Sequence, residues 1–158
     1  IRTGIGYDVH QLKLGESLIL GGVEIDSDMG SVGHSDGDVL THAIVDALLG
    51  AAGLGDLGTY FPSHDKKWKG TSSLRFLTHT VNVVTNAGFH ICNVDGTIML
   101  QFPQLSKYIE DIRTTIAGKM NIEFSAVSIK ATTTDGLGFV GRGKGISAIA
   151  IATLTFPA

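Results

Sequence analysis

The sequence predicts an α/β protein, an α+β sandwich in which helices cover one face of a mixed sheet of four to five strands. Three observations carry that expectation. Segments of strand-like alternation and of helical period succeed one another from end to end with no internal repeat. The 158 residues are 43% hydrophobic and 17% charged, which suffices for a substantial core. Glycine supplies 21 residues against 3 prolines, a composition suited to tight turns and to backbone brought close to a ligand. Residues 1–158 are expected to form one domain.

The elements follow in order. IRTGIGYDVH and SLILGGVEI read as short strands separated by a turn at KLGE. In SDGDVLTHAIVDALLGAAGLG the period changes: Val39, Leu40, Ala43, Ile44, Ala47 and Leu48 recur at helical spacing, with Ser35 or Asp36 as the cap and glycines at the far end. This reads as an amphipathic helix. GTYFPSHDKKWKG is a loop leading to a second helix near Ser72 to Asn86, stopped by Gly88. NVDGTIMLQF is a strand, LSKYIEDIRTTIAGKM a third helix, AVSIKATTT another strand, and ISAIAIATLTF a long β-favouring run at the end.

Charge and composition narrow the function. A net charge of −3 with scattered Lys and Arg offers no basic stripe, which argues against a nucleic-acid partner. The richest apolar run, AIVDALLGAAGL, is too short for a membrane span and contains Asp46, so no membrane role is expected. Cys92 is the only cysteine, read as a packed core residue in a reducing compartment. No signal peptide is visible, and Ile1 in place of an initiator methionine leaves room for a removed leader.

The chemistry begins in GYDVHQL. Residues two apart on a strand share a face, so Asp8 and His10 converge on one point. Taken alone, a triplet this short reads first as an ordinary Asp–His hydrogen bond at a strand end, and metal binding needs a third ligand. On the first helix Asp38, His42 and Asp46 stand at i, i+4 and i+8 on one stripe, which is either a solvated face or a face turned towards that strand. If the two elements pack as neighbours, Asp8, His10 and His42 form a three-ligand N/O site with an open fourth position, the pattern of catalytic zinc.

Before this helix lies GHSDGD. Ser35 and its neighbouring backbone N–H groups read as a helix N-terminus that can seat a phosphate, with His34 beside it; the plainer reading is a cap. GLGDLG, residues 53–58, has dinucleotide-fingerprint spacing but ends a helix, and GFVGRGKG has P-loop spacing but lacks the Ser or Thr and precedes a strand; both are rejected. There remains the loop TTTDGLGFVGRGKG, either a flexible hairpin or a seat for a metal-bridged diphosphate built from its threonines, Asp135, Arg142 and Lys144.

GYDVH, GHSDGDVLTHAIVDALLGAAGLGDLG, FPSHDKKWKG and IKATTTDGLGFVGRGKGI are similar, in order and spacing, to the motifs of the 2-C-methyl-D-erythritol 2,4-cyclodiphosphate synthase family. The resemblance runs from the first residues to the last strand. It implies a phosphorus–oxygen lyase of the non-mevalonate isoprenoid pathway that converts 4-diphosphocytidyl-2-C-methyl-D-erythritol 2-phosphate into the cyclic diphosphate and CMP. The 2-phosphate of the substrate attacks the β-phosphorus, so the enzyme supplies positioning and charge in place of a nucleophile. Good preorganisation can contribute on the order of 7–11 kcal/mol.

Site residues implied by the resemblance follow the motifs. Asp8, His10 and His42 match zinc ligands, one Zn2+ per subunit. His34, Ser35, Thr133 and Asp135 match catalytic positions: His34 and Ser35 correspond to phosphate contacts, Thr133 to a residue near the nucleotide diphosphate, and Asp135 stands where a magnesium or manganese ion is held. Asp56 and Gly58 match the segment that holds the methylerythritol portion, and Asp65 a further substrate-binding position. The stretch from Leu100 through Pro103, Gln104 and Leu105 to Ser106 matches a cytosine pocket, and Thr132 a position near the diphosphate. Family members are homotrimers with active sites between subunits. Phe139 and Arg142 match residues around a central cavity that can hold an isoprenoid diphosphate. A bacterial-type cytoplasm is the expected location, a plastid-type stroma the alternative.

Three positions depart from the family pattern. Asp135 replaces the common glutamate, Gln104 stands where lysine is frequent, and Ser63 replaces the aspartate after FP. Two other readings use the same residues: a zinc-dependent nucleotide-diphosphate hydrolase that activates water, and a non-catalytic trimeric protein that binds isoprenoid diphosphates.

Overall fold

The computed structural model describes residues 1–156. Strand β1 (Arg2–Leu14) is followed by β2 (Leu18–Leu20), β3 (Val23–Ile25) and β4 (Met29–Val32), then helices α1 (Val39–Ala52), α2 (Leu57–Tyr60) and α3 (Ser73–Asn86). The rest of the chain forms β5 (His90–Met99), α4 (Ile109–Met120), β6 (Val127–Thr132), α5 (Gly138–Gly141) and β7 (Gly145–Thr155). Five strands form a mixed sheet in the order β4-β1-β7-β5-β6, with β5 and β6 parallel and the other pairs antiparallel. The expected mixed sheet is present.

Alternation along β1 divides its residues between two environments. Gly4 and Gly6 are buried beneath α1, and Asp8 and His10 continue the same face; Ile5, Tyr7 and Val9 point the other way and are exposed. Paired with β1, β7 repeats the pattern, burying Ala148, Ala150 and Ala152 and exposing Ile149 and Ile151. The small residues matter because α1 lies directly on them: a Cβ on Gly4 would stand 2.1 Å from the carbonyl oxygen of Ala47. Helix and strand backbones therefore approach as closely as glycine permits.

Several expectations change. SLILGGVEI is a hairpin of β2 and β3 rather than one strand, because Gly21 and Gly22 both take positive φ (57° and 76°) and close a two-residue turn. The α1 cap is Asp38, not Ser35 or Asp36: its carboxylate accepts from Thr41 N, and also from Gly21 N at 3.0 Å and Gly22 N at 2.8 Å, tying hairpin to helix. Nor is α1 amphipathic in its setting. All its residues but Asp46 and Gly50 are buried, since α3 packs over the side away from the sheet. Gly53 closes it in the left-handed conformation, as its sequence position suggested.

Cys92 is exposed, not a core residue; the β5–β7 register shifts between Ile91 and Asn93, which breaks the alternation at that point. The glycine-rich loop is not a hairpin. β5 lies between β6 and β7, so the segment crosses the end of an intervening strand and carries the short helix α5. No helix among the described residues is long and apolar enough to cross a membrane.

Candidate active site

Because Gly4 and Gly6 draw α1 against β1, His42 in the first turns of the helix reaches the strand face that carries Asp8 and His10. Asp8 Oδ2 lies 2.8 Å from His10 Nε2 and 2.9 Å from His42 Nδ1, and the two imidazole nitrogens are 3.3 Å apart. Among the described residues these three form the one group of three or more potential ligand side chains gathered at a point. The remote ring nitrogens are also engaged. His10 Nδ1 donates to the carbonyl of Val32 at 3.0 Å, and His42 Nε2 lies 2.9 Å from Ser73 Oγ and 3.0 Å from Ser35 Oγ. Each imidazole thus has a partner for the N–H on its far side and turns its other nitrogen towards Asp8, the arrangement a histidine needs to bind a cation. Two nitrogens and a carboxylate oxygen fit a divalent metal with borderline preferences.

The electrostatics agree. Burial by itself would raise the Asp8 pKa, but hydrogen bonds and positive charge from His10 and His42 outweigh it and hold the carboxyl well below its usual range. Burial likewise disfavours the charged form of His10, yet the Asp8 carboxylate and the Val32 carbonyl reverse that and raise its pKa. A carboxylate this firmly ionised stands ready for a cation.

The triad opens into a cavity of about 230 Å³ whose lining includes His34 and Ser35 on one side and Phe61, Trp68 and Phe76 on the other. The aromatic side is a packed cluster: Phe61 stacks on Phe76 with centroids 4.4 Å apart, and Trp68 meets Phe61 edge-on at 5.2 Å. His34 is oriented by the Asp65 carbonyl, 3.2 Å from its Nε2. Ser35 faces the cavity but lies four residues before α1, so its backbone is not the helix N-terminus expected from the sequence. The neighbouring Asp36 N–H is already spent on the Thr71 carbonyl, 3.1 Å away.

Asp56 and Gly58 flank Leu57, which lines this cavity, while Asp56 itself is exposed and caps α2 by accepting from Thr59 N at 2.8 Å. The Thr59 hydroxyl also donates to this carboxylate at 2.8 Å, and the two hydrogen bonds, hydroxyl first, lower its pKa. The Asp65 carboxylate caps the turn at Lys66–Trp68 and pairs with Lys67 at 3.2 Å. Asp46, from the predicted polar stripe, turns aside to accept from Leu57 N at 2.7 Å, fixing the start of α2.

A second cavity, about 430 Å³, is lined by Leu100, Gln101, Pro103, Gln104, Leu105 and Ser106 together with Ile109, Ala131, Thr132 and Thr133. The Leu100–Ser106 stretch and the two threonines, far apart in sequence, are brought together because β5 and β6 run parallel and end side by side. Asp135 lies outside both linings. It takes positive φ (52°) and is bonded to Thr133, whose Oγ1 is 3.3 Å from its Oδ1, while Gly136 N ties the loop to Gln101 Oε1 at 3.3 Å. Phe139 and Arg142, exposed on and just after α5, also stand apart from both cavities. Within one chain the two cavities share no lining residue.

Asp36 and Ser73 were not singled out as site residues by sequence reasoning. Asp36 accepts from Ser73 N at 2.8 Å and from the Ser73 hydroxyl. Asp36 does stand inside GHSDGD, but Ser73 is 31 residues from the imidazole it touches and carries no local signal.

Comparison with known proteins agrees with this geometry. The family model described as the YgbB family matches residues 1–155. The 2-C-methyl-D-erythritol 2,4-cyclodiphosphate synthase of Clostridium acetobutylicum is 52% identical over 154 residues, 98% of this chain and 99% of that protein. Among solved structures, a CDP complex of IspF from Plasmodium falciparum superposes with a TM-score of 0.87 at 35% identity, over 99% of this chain and 97% of the other. The bifunctional IspDF from Campylobacter jejuni gives 0.95 at 39% identity, covering 99% of this chain but 42% of that one. With its motifs, its fold and nearly its whole length matched, the chain belongs to the YgbB family.

Proposed function

We propose that this chain is a phosphorus–oxygen lyase that cyclises 4-diphosphocytidyl-2-C-methyl-D-erythritol 2-phosphate to 2-C-methyl-D-erythritol 2,4-cyclodiphosphate, releasing CMP, in non-mevalonate isoprenoid biosynthesis. The observation that carries the reading is the convergence of Asp8, His10 and His42 beside His34 and Ser35, in a chain about half identical to synthases of that name. An oxygen of the 2-phosphate forms a bond to the β-phosphorus, the bond from that phosphorus to the bridging oxygen breaks, and CMP leaves with the electron pair.

Asp8, His10 and His42 would hold Zn2+, given their donor set and open fourth side. That ion would supply a Lewis acid against a phosphoryl oxygen. Ser35 offers an O–H towards the phosphate end, His34 stands beside it with its Nε2–H held by the Asp65 carbonyl, and the Phe61, Trp68 and Phe76 wall excludes the water that would otherwise hydrolyse the diphosphate. Asp56, Gly58 and Asp65 frame the methylerythritol portion. Leu100, Pro103, Gln104, Leu105 and Ser106 form the cytosine pocket, supported by the second cavity and by the CDP bound to the Plasmodium falciparum relative. Thr132, Thr133 and Asp135 attend the diphosphate, Asp135 with Mg2+ or Mn2+.

The two cavities must meet for one substrate to span them. Our reading is a homotrimer in which the cytosine pocket of one subunit adjoins the metal triad of the next. Its support is the bare sheet face of Ile5, Tyr7, Val9, Ile149 and Ile151, an apolar patch that a monomer would leave in water. Phe139 and Arg142 would then border a central cavity able to take an isoprenoid diphosphate. The bacterial relatives support a cytoplasmic setting.

Mass spectrometry of the products from the cytidylyl substrate, with zinc and magnesium present, tests the reaction. CMP together with a product one water lighter than the linear bisphosphate is expected. A linear bisphosphate would replace this reading with a hydrolase, and tight diphosphate binding without turnover would replace it with a binding protein.

A further inference from the structure

The two histidines of the triad are held from behind by different kinds of partner. Val32 presents a backbone carbonyl to His10 Nδ1, and a carbonyl can only accept, so Nδ1 must carry a hydrogen and Nε2, turned to Asp8, is the nitrogen left for a metal to take. His42 Nε2 instead meets two hydroxyls, Ser73 Oγ and Ser35 Oγ. A hydroxyl can donate or accept and by itself fixes neither tautomer.

Asp36 removes that freedom for one of them. Its Oδ2 accepts from Ser73 N at 2.8 Å and its Oδ1 from the Ser73 hydroxyl, with Asp38 N also 3.2 Å from Oδ1. An ionised carboxylate has no hydrogen to give, so the Ser73 hydroxyl hydrogen points at Asp36 and the Ser73 oxygen can only accept. Ser73 is fully buried, which keeps water from competing for either role. We propose that Asp36 and Ser73 are positioning residues that hold His42 as its Nε2–H tautomer, leaving Nδ1 free to bind a metal with Asp8 and His10. The chain runs from His42 Nε2–H to Ser73 Oγ and from Ser73 Oγ–H to Asp36. Ser35, 3.4 Å from Ser73 Oγ, is then released from orienting the imidazole and can turn its hydroxyl into the cavity.

This inference rests on the reading of Asp8, His10 and His42 as a metal site, and its test separates the two. Zinc affinity is measured by chelator competition for the parent protein and for the Ser73→Ala and Asp36→Asn variants, alongside 15N spectra of the histidine rings in the zinc-loaded proteins. Second-sphere losses of this kind weaken metal binding about 10–100-fold. The expected result is at least a ~10-fold loss in each variant, with the parent spectrum showing His42 protonated at Nε2. In Asp36→Asn the amide must turn its NH2 towards either a backbone N–H or the Ser73 oxygen, and the latter makes Ser73 a donor to His42. Asp36 also accepts the Ser73 N–H at the start of α3, where Ser72 makes no side-chain cap, so Asp36→Asn has a second way to disturb the fold. Ser73→Ala leaves that backbone bond in place and keeps the test decisive, and Ser73→Thr, which restores a hydroxyl, should recover affinity. Parent-like affinity in Ser73→Ala, or a parent spectrum with the hydrogen on Nδ1, overturns the proposal. Failure of the parent itself to take up zinc overturns the metal reading beneath it.

Discussion

Gly6 lies so close to helix α1 that a Cβ built on it would stand 1.9 Å from the carbonyl oxygen of Ala43. Ala43 follows His42 in the chain, so the contact that seats the helix also sets the height of the imidazole above the strand. Gly6→Ala cannot be absorbed by a side-chain rotation, because the clash is with backbone. Overpacking of this kind costs about 1–3 kcal/mol and occasionally more; a loss of at least ~3 kcal/mol by denaturant melting, with metal content well below one per chain, is expected. A variant with unaltered stability and full metal content would show that the close approach does not position the site.

His42→Ala and His10→Ala should each leave a folded protein that no longer retains zinc through gel filtration. Their effect on affinity should exceed the ~100-fold bound for outer-sphere changes. Turnover should vanish with the metal. Normal turnover in either variant would dismiss the triad as the metal site.

The ion pair in the triad makes the metal-free protein sensitive to pH. The folded-state pKa of Asp8 is depressed, so its contribution is present above the ordinary carboxylate range and is lost only in strong acid. The His10 pKa is raised, so its contribution is complete below about 6.5 and disappears as pH climbs through the raised value. Melting of chelator-treated protein should therefore show stability falling from pH ~6 towards pH 9, with a flatter profile for His10→Asn. Metal binding should run the other way and tighten over that range, because the ion competes with the proton on His10. A metal-free profile that rises with pH would contradict the sign.

Asp38 is fully buried, and burial raises its pKa despite the hydrogen bonds from Thr41 and Gly21 that favour its charge. Its carboxylate accepts from Gly21 N, Gly22 N, Thr41 N and Thr41 Oγ1, the last at 2.7 Å. Asp38→Ala orphans these donors at about 1–3 kcal/mol for each one left without water. The variant is expected to lose more than ~3 kcal/mol by chemical melting, whereas Asp38→Asn, which keeps one acceptor, should lose less.

Gln104 lines the cavity of about 430 Å³; with a nucleotide diphosphate seated there as proposed above, a lysine at this position would add a positive charge beside it. Gln104→Lys should tighten CDP binding by up to about fivefold, the scale of a solvent-exposed ion pair of ~1 kcal/mol. The gain should fade in high salt. Calorimetric titration at two ionic strengths checks both halves.

How far the sequence spoke depended on whether a signal was local. The alternation Gly4, Gly6, Asp8, His10 was legible because a period of two survives in the chain itself, and the helix carrying His42 was legible from its apolar spacing. The cap of that helix was not: Ser35, Asp36 and Asp38 all have capping side chains, and the choice among them falls to the glycine amides of a distant hairpin. The same distance hid Ser73, whose link to His42 exists only after α3 packs beside α1. Cys92 was misjudged because a register shift in β5 is invisible to an alternation count.

The double-sided character of β1 has a consequence for how such a chain can vary. Gly4, Gly6, Asp8 and His10 look inward while Ile5, Tyr7 and Val9 look outward, and both sets depend on one parity. Insertion or deletion of a single residue between Gly6 and Asp8 would set the glycine pair and the ligand pair on opposite faces: if Asp8 and His10 keep theirs, a branched or aromatic side chain enters a space fit only for glycine, and if the glycines keep theirs, Asp8 and His10 are carried to the other surface. Point substitutions can explore either side of β1 separately, but its length cannot drift by one.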